Sequence, residues 1–153
     1  MEMQLCAGIF SDSARKIGCD DVVAGCDDGS IVLLRRMVPG NGQKAGASND
    51  IAREYCDIGV QITRLVALRA GNGKPGVDGL ACAGHFSGIA IVHGGICTCF
   101  VDTSAWVVGV DAWRRDDNDV HEILLVTADG EYTSTLVRNG ELVESEKEDV
   151  VMQ

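Results

Sequence analysis

MQLCAGIFSDSARKIGCDDVVAGCDDGSIVLL, residues 3–34, holds an apolar strand, a polar loop, a second apolar strand, a glycine-containing turn and a third strand. The same order returns in residues 62–92, ITRLVALRAGNGKPGVDGLACAGHFSGIAIV, and again in residues 106–136, WVVGVDAWRRDDNDVHEILLVTADGEYTSTL. Repeats must be read together, because each unit buries its apolar face only against a neighbour. Inside each unit a short apolar run (residues 22–25, 80–84 and 123–126) has the length and the lack of alternation of a strand buried on both faces. Turn residues follow: Cys26-Asp27-Asp28-Gly29, His85-Phe86-Ser87-Gly88 and Thr127-Ala128-Asp129-Gly130. Asp-Gly suits a tight hairpin because glycine takes a positive φ without steric cost. On this reading Gly29, Gly88 and Gly130 mark the register of the three units, at spacings of 59 and 42 residues.

A more polar fourth strand is expected after each unit, over residues 51–58, 96–102 and 141–148. Four-stranded antiparallel units that grow more polar outward have the form of β-propeller blades. The expected fold is therefore all-β, a single propeller-like domain over residues 1–153, with blade 1 at residues 3–59, blade 2 at 62–103 and blade 3 at 106–148. Residues 38–50, VPGNGQKAGASND, have no hydrophobic period and account for the longer first interval as a loop inserted before the fourth strand of blade 1. Propellers typically close with about four to eight blades. Three blades are thus expected either to belong to a longer propeller or to close a ring by self-association. A sandwich of about twelve strands is the competing all-β architecture.

Of the 153 residues 46% are hydrophobic and 24% charged, a globular composition. Only 5% are aromatic, so Val, Ile, Leu and Ala must fill the core. Lys plus Arg is 13 against 23 for Asp plus Glu, a net charge of −10, which repels nucleic acid and anionic membrane alike. Glu141, Glu144, Glu146, Glu148 and Asp149 crowd the end of the chain as a solvated acidic edge. The first ten residues lack the basic region of a signal peptide. No run reaches the roughly 18 apolar residues of a membrane span. Seven irregularly spaced cysteines then read as reduced thiols, and a cytoplasmic location is expected.

Asp20-Asp21-Val22-Val23-Ala24-Gly25, with its Asp-Gly turn behind it, resembles an FG-GAP-type propeller blade. Trp106-Val107-Val108-Gly109-Val110-Asp111 and residues 122–130 are similar to blades of the FG-GAP repeat family to which a KICSTOR subunit belongs. Propeller subunits of the BBSome are similar as well. The KICSTOR resemblance implies a non-enzymatic scaffold that binds other protein subunits, is recruited to the lysosomal surface and takes part in amino-acid-dependent negative regulation of mTORC1. The BBSome likeness implies ciliary trafficking. The chain departs from the pattern in having no Phe-Gly pair at a blade opening and no Gly-Ala-Pro at a blade end.

Two constellations invite a metal, and a calcium- or zinc-binding module is the alternative function. Asp111, followed by Asp116, Asp117, Asn118 and Asp119, is a remnant of a calcium loop. Calcium takes about six to eight oxygens on a tightly turned, glycine-bearing loop; Arg114 and Arg115 interrupt this one and it has no glycine. Cys82, His85, His93, Cys97 and Cys99 offer thiolate and imidazole ligands of the kind zinc prefers. Cys97 and Cys99, at i and i+2, are expected on one strand face and could converge. The competing reading, which is the one expected, is a solvated loop and buried thiols acting as small hydrophobes, with no metal and no cofactor. Gly71-Asn72-Gly73-Lys74-Pro75-Gly76 lacks the hydroxyl and the following helix of a phosphate loop and reads as a hairpin. No nucleophile elbow or kinase signature occurs, so no enzyme is expected. Trp106 and Trp113, an odd number of residues apart, should point to opposite faces and pack between blades. Residues 38–50 and the acidic residues 141–149 are the expected contact surfaces, the latter for a basic protein partner.

Overall fold

The computed structural model describes residues 4–11, 21–34, 52–70, 78–115 and 119–143. They form β1 (Gln4–Gly8), β2 (Asp21–Gly25), β3 (Ser30–Leu34), β4 (Ala52–Asp57), β5 (Ile62–Leu68), β6 (Gly79–Gly84), β7 (Gly88–His93), β8 (Ile96–Asp102), β9 (Val107–Arg115), β10 (Val120–Thr127), β11 (Tyr132–Arg138) and β12 (Glu141–Val143). Each run of four consecutive strands pairs antiparallel into its own sheet, β1–β4, β5–β8 and β9–β12, as the sequence led one to expect. The loop at residues 38–50, the glycine-rich loop at 71–76 and the acidic residues 144–149 lie outside the described residues.

The hairpins between second and third strands set the register. In the first sheet Cys26 N donates to Ser30 O at 3.0 Å and Gly29 N to Cys26 O at 3.1 Å; in the third, Thr127 N donates to Glu131 O at 2.9 Å and Gly130 N to Thr127 O at 3.0 Å. Gly29 and Gly130 take φ of 94° and 89°, the left-handed region where a Cβ is costly. Gly88 does not do the same work. The ladder partners Gly25↔Ile31, Ala83↔Ile89 and Val126↔Tyr132 make Ser87, not Gly88, the counterpart of Gly29 and Gly130. Thr103 N donates to Ser87 O at 3.1 Å just as Ile58 N donates to Gly29 O at 2.9 Å. Gly88 lies inside β7, where a Cβ would collide with the Val101 carbonyl oxygen. It serves a close strand approach, so a register read from the three glycines is one residue out in the middle unit.

The middle sheet explains the apolar runs. Every residue of β6 is buried, and so are all but the last of β7. On one side Leu80, Cys82, Ala90 and Val92 pack against Val23, Ile31 and Leu33 of the first sheet. On the other, Ala81, Ala83, Ile89 and Ile91 pack against Ile123, Leu125 and Val137 of the third. Fully burying a side chain such as Ile or Leu contributes about 1.5–3 kcal/mol. The small Ala81, Ala83 and Ala90 among them let the sheets approach. The inner strands β1, β5 and β9 lie side by side, so the sheets form an arc.

Polar stitches join neighbouring sheets at corresponding positions. Asp78, 4% exposed, accepts from Ile9 N and from Ala70 N, each at 2.8 Å, and its own N–H donates to Ile9 O at 2.7 Å. One sheet further on, His121 Nε2 sits 2.8 Å from the Arg69 carbonyl oxygen. Ile9 and Arg69 each follow an inner strand directly, so both stitches bind the start of a second strand to the end of the preceding inner strand. Gly29→Ala is expected to destabilise more than Gly130→Ala in urea unfolding. Both strain φ, but the new Cβ stands 2.5 Å from Val60 N at Gly29 and meets nothing within 4 Å at Gly130. The Gly130 change should cost about 1–2 kcal/mol.

Candidate functional site

Two β-bulges shape one end of the inner strands. The β5–β6 register runs Ile62↔Gly84 and then Arg64↔Ala83, leaving Thr63 as an extra residue. The β9–β10 register runs Gly109↔Val126 and then Val107↔Thr127, leaving Val108 in the corresponding place. Bulges bend a strand and re-aim its side chains. Between them opens a cleft of about 270 Å³ lined by Gln4, Thr63, Arg64, His85, Trp106 and Val108, among others.

Its walls are held by specific contacts. The His85 ring stacks on the Trp106 indole, with centroids 4.6 Å apart and planes within 11°. His85 N donates to Gln61 O at 3.0 Å, and Ala128 N to Trp106 O at 2.8 Å, so both rings are carried on tethered backbone. Arg64 Nε donates to the Val108 carbonyl oxygen at 3.2 Å. Trp106 is 49% exposed and Val108 48%. The hairpins and strand ends at this same end of the three sheets carry Asp27, Asp28, Asp57, Asp102, Asp129 and Glu131, the last two in the hairpin whose Ala128 N bonds the Trp106 carbonyl. The Ser30 hydroxyl, 2.6 Å from Asp28 Oδ1, and the Ser30 N–H hold the Asp28 carboxyl below its ordinary range. The hydroxyls of Thr127 and Ser104 do the same for Asp129.

The residues singled out from sequence lie elsewhere, apart from His85 and Trp106. Asp111 is exposed on β9 opposite Leu124, and its Oδ1 accepts from Ala112 N at 2.9 Å. Asp119 precedes Val120 at a φ of 59°, five residues, or about 17 Å of strand, from Leu124 along β10. Asp117 lies outside the described residues. Cys82 is wholly buried between the first and second sheets, and Cys97 packs against the same core. Cys99 packs against the other core. The expectation that Cys97 and Cys99 share a face fails because a bulge intervenes: Val92 pairs with Cys97 and Ile91 with Cys99, so Thr98 is an extra residue and the parity is lost. His85 is in the exposed hairpin and His93 ends β7. Among the described residues no group of three or more His, Cys, Asp or Glu could hold a metal ion. The tryptophan parity argument fails likewise: Trp106 precedes β9 and the bulge at Val108 follows it. Trp106 nonetheless contacts the neighbouring sheet through His85, while Trp113 is 44% exposed opposite Glu122. Arg64, Thr63 and Val108 carried no sequence signal, because nothing in the residue pattern marks the bulges.

No protein-family model and no curated protein matches the chain. Among solved structures it is similar to BBS1N, in the crystal structure of BBS1N in complex with ARL6DN, with a TM-score of 0.57 and 15% sequence identity over 92% of this chain. The fold is that of a β-propeller. The described sheets are its blades, and this chain spans 41% of the BBS1N chain. In this propeller arc desolvation pushes the Cys82 thiol far above its ordinary value of 9.0. The unfolded chain ionises this thiol near that ordinary value and the folded chain does not. Its contribution is therefore intact below about pH 9 and declines as the pH climbs towards the folded value, by at most about 1.4 kcal/mol per pH unit. Urea midpoints should fall above that pH, and Cys82→Ala, less stable at neutral pH, should show a shallower alkaline slope.

Proposed function

We propose that this propeller arc is a non-enzymatic protein–protein interaction module. The observation that carries the reading is the end of the arc bearing the paired bulges, where a preformed cleft exposes Trp106 and Val108 on tethered backbone. Large exposed apolar side chains gathered at a rigid cleft are a feature of binding surfaces. The BBS1N propeller, to which the chain is similar, is itself in complex with another protein, ARL6DN. That likeness supports a BBSome-like trafficking propeller, whereas a KICSTOR-type role in restraining mTORC1 at the lysosomal surface rests on the blade motifs alone.

Affinity purification of the tagged protein from cells, with chemical crosslinking and quantitative mass spectrometry, tests this reading. Stoichiometric recovery with BBSome-type subunits is the expected result. Recovery with KICSTOR subunits would move the assignment to amino-acid signalling. Absence of any stoichiometric partner at mild salt would remove the interaction reading.

A further inference from the structure

We propose that the cleft between the bulged ends of β5 and β9 docks an extended basic segment of a partner protein, with a Lys or Arg side chain over Trp106 and backbone carbonyls on Arg64. The proposal rests on the interaction reading above and names its partner chemistry. At about 270 Å³ the cleft has room for one long side chain with its flanking backbone. The Trp106 ring is held in place before any ligand arrives, by the His85 stack and by the bond from Ala128 N to its carbonyl. An indole face carries negative electrostatic potential and attracts a guanidinium or ammonium group.

Arg64 decides what the rest of the ligand must be. Its Nε is engaged by the Val108 carbonyl, and a guanidinium only donates. From an unmodified peptide it can take carbonyl, hydroxyl or carboxylate oxygens. A partner carboxylate would approach an end of the sheets that carries Asp27, Asp28, Asp57, Asp102, Asp129 and Glu131, with the carboxyls of Asp28 and Asp129 held below their ordinary range by neighbouring hydroxyls. A peptide carbonyl meets no such repulsion, and a basic side chain beside it is drawn to the same carboxylates. Thr63 and Val108, left off the regular ladder by the bulges, place further backbone groups at the cleft wall. Charge complementarity and the aromatic platform thus select the same ligand. The attraction is screened within about 8 Å at physiological ionic strength, so binding must weaken with salt.

The test titrates the full chain into a fluorescein-labelled, end-capped octapeptide alternating arginine and leucine, and into its counterpart with glutamate for arginine, by fluorescence anisotropy at low and high salt. The arginine peptide should bind and the glutamate peptide should not. Trp106→Ala should weaken binding about tenfold, Trp106→Phe should restore part of it, and Trp113→Ala, at an exposed tryptophan outside the cleft, should change nothing. Asp102→Asn with Asp129→Asn should lower affinity and flatten its salt dependence. Unchanged melting temperatures identify the variants that remain folded. Equal binding by folded Trp106→Ala or Trp106→Phe and by the parent, equal loss in Trp113→Ala, tight binding of the glutamate peptide, or no binding of the arginine peptide would each overturn the groove. A Trp106→Ala chain that still recovers its stoichiometric partner from cells would overturn the groove and leave the interaction reading standing.

Discussion

Packing on both faces of the middle sheet is the constraint on which the rest of the structure depends. Leu80, Cys82, Ala90 and Val92 face one neighbour while Ala81, Ala83, Ile89 and Ile91 face the other, so β6 and β7 have no side left for water. A strand in that position must be apolar along its whole length, and it must mix small with branched side chains for three layers to close at native density. The flanking sheets follow from it. Each turns one apolar face inward, and β10 shows the resulting alternation, with Ile123 and Leu125 buried and Val126 exposed.

Packing alone would let the sheets slide. The polar contacts at their ends prevent this because they are directional and short. Asp78 and His121 bind the start of a second strand to the backbone just past the preceding inner strand. From β5 and the residue after it, Arg69 Nη1 reaches the Ala7 carbonyl at 3.3 Å and Arg64 Nε the Val108 carbonyl at 3.2 Å. The inner strand of the middle blade, with the residue after it, therefore contacts the inner strands on either side, and the cleft at Arg64 is a by-product of the same device. The proposed docking cleft and the alignment of the blades share a residue.

The fold was legible because its cause is local in sequence. A buried strand flanked by turn residues leaves a contiguous apolar run, and three such runs with outer, more polar strands spell stacked four-stranded units. Legibility ended where strands stop being regular. Gly88 looked like a third turn glycine, yet the hairpin of the middle blade uses Ser87 there and Gly88 is needed for contact with Val101. Cys97 and Cys99 looked like neighbours on one face until the extra Thr98 reversed the parity. Each error is a shift of one residue, and in a structure of period two a shift of one reverses every side chain.

The sequence by itself determined the class of the protein: all-β, in repeated four-stranded units, and acidic. These properties depend on composition and on the order of apolar and polar residues, which a chain carries whether folded or not. Only the tertiary structure decided which residues meet. Trp106 lies 21 residues from His85 and 42 from Arg64, and they share a cleft because bulges at Thr63 and Val108 bend two inner strands at the same level. A bulge is a property of a strand pair, set by what the partner strand can accommodate, and so it has no signature in either strand alone.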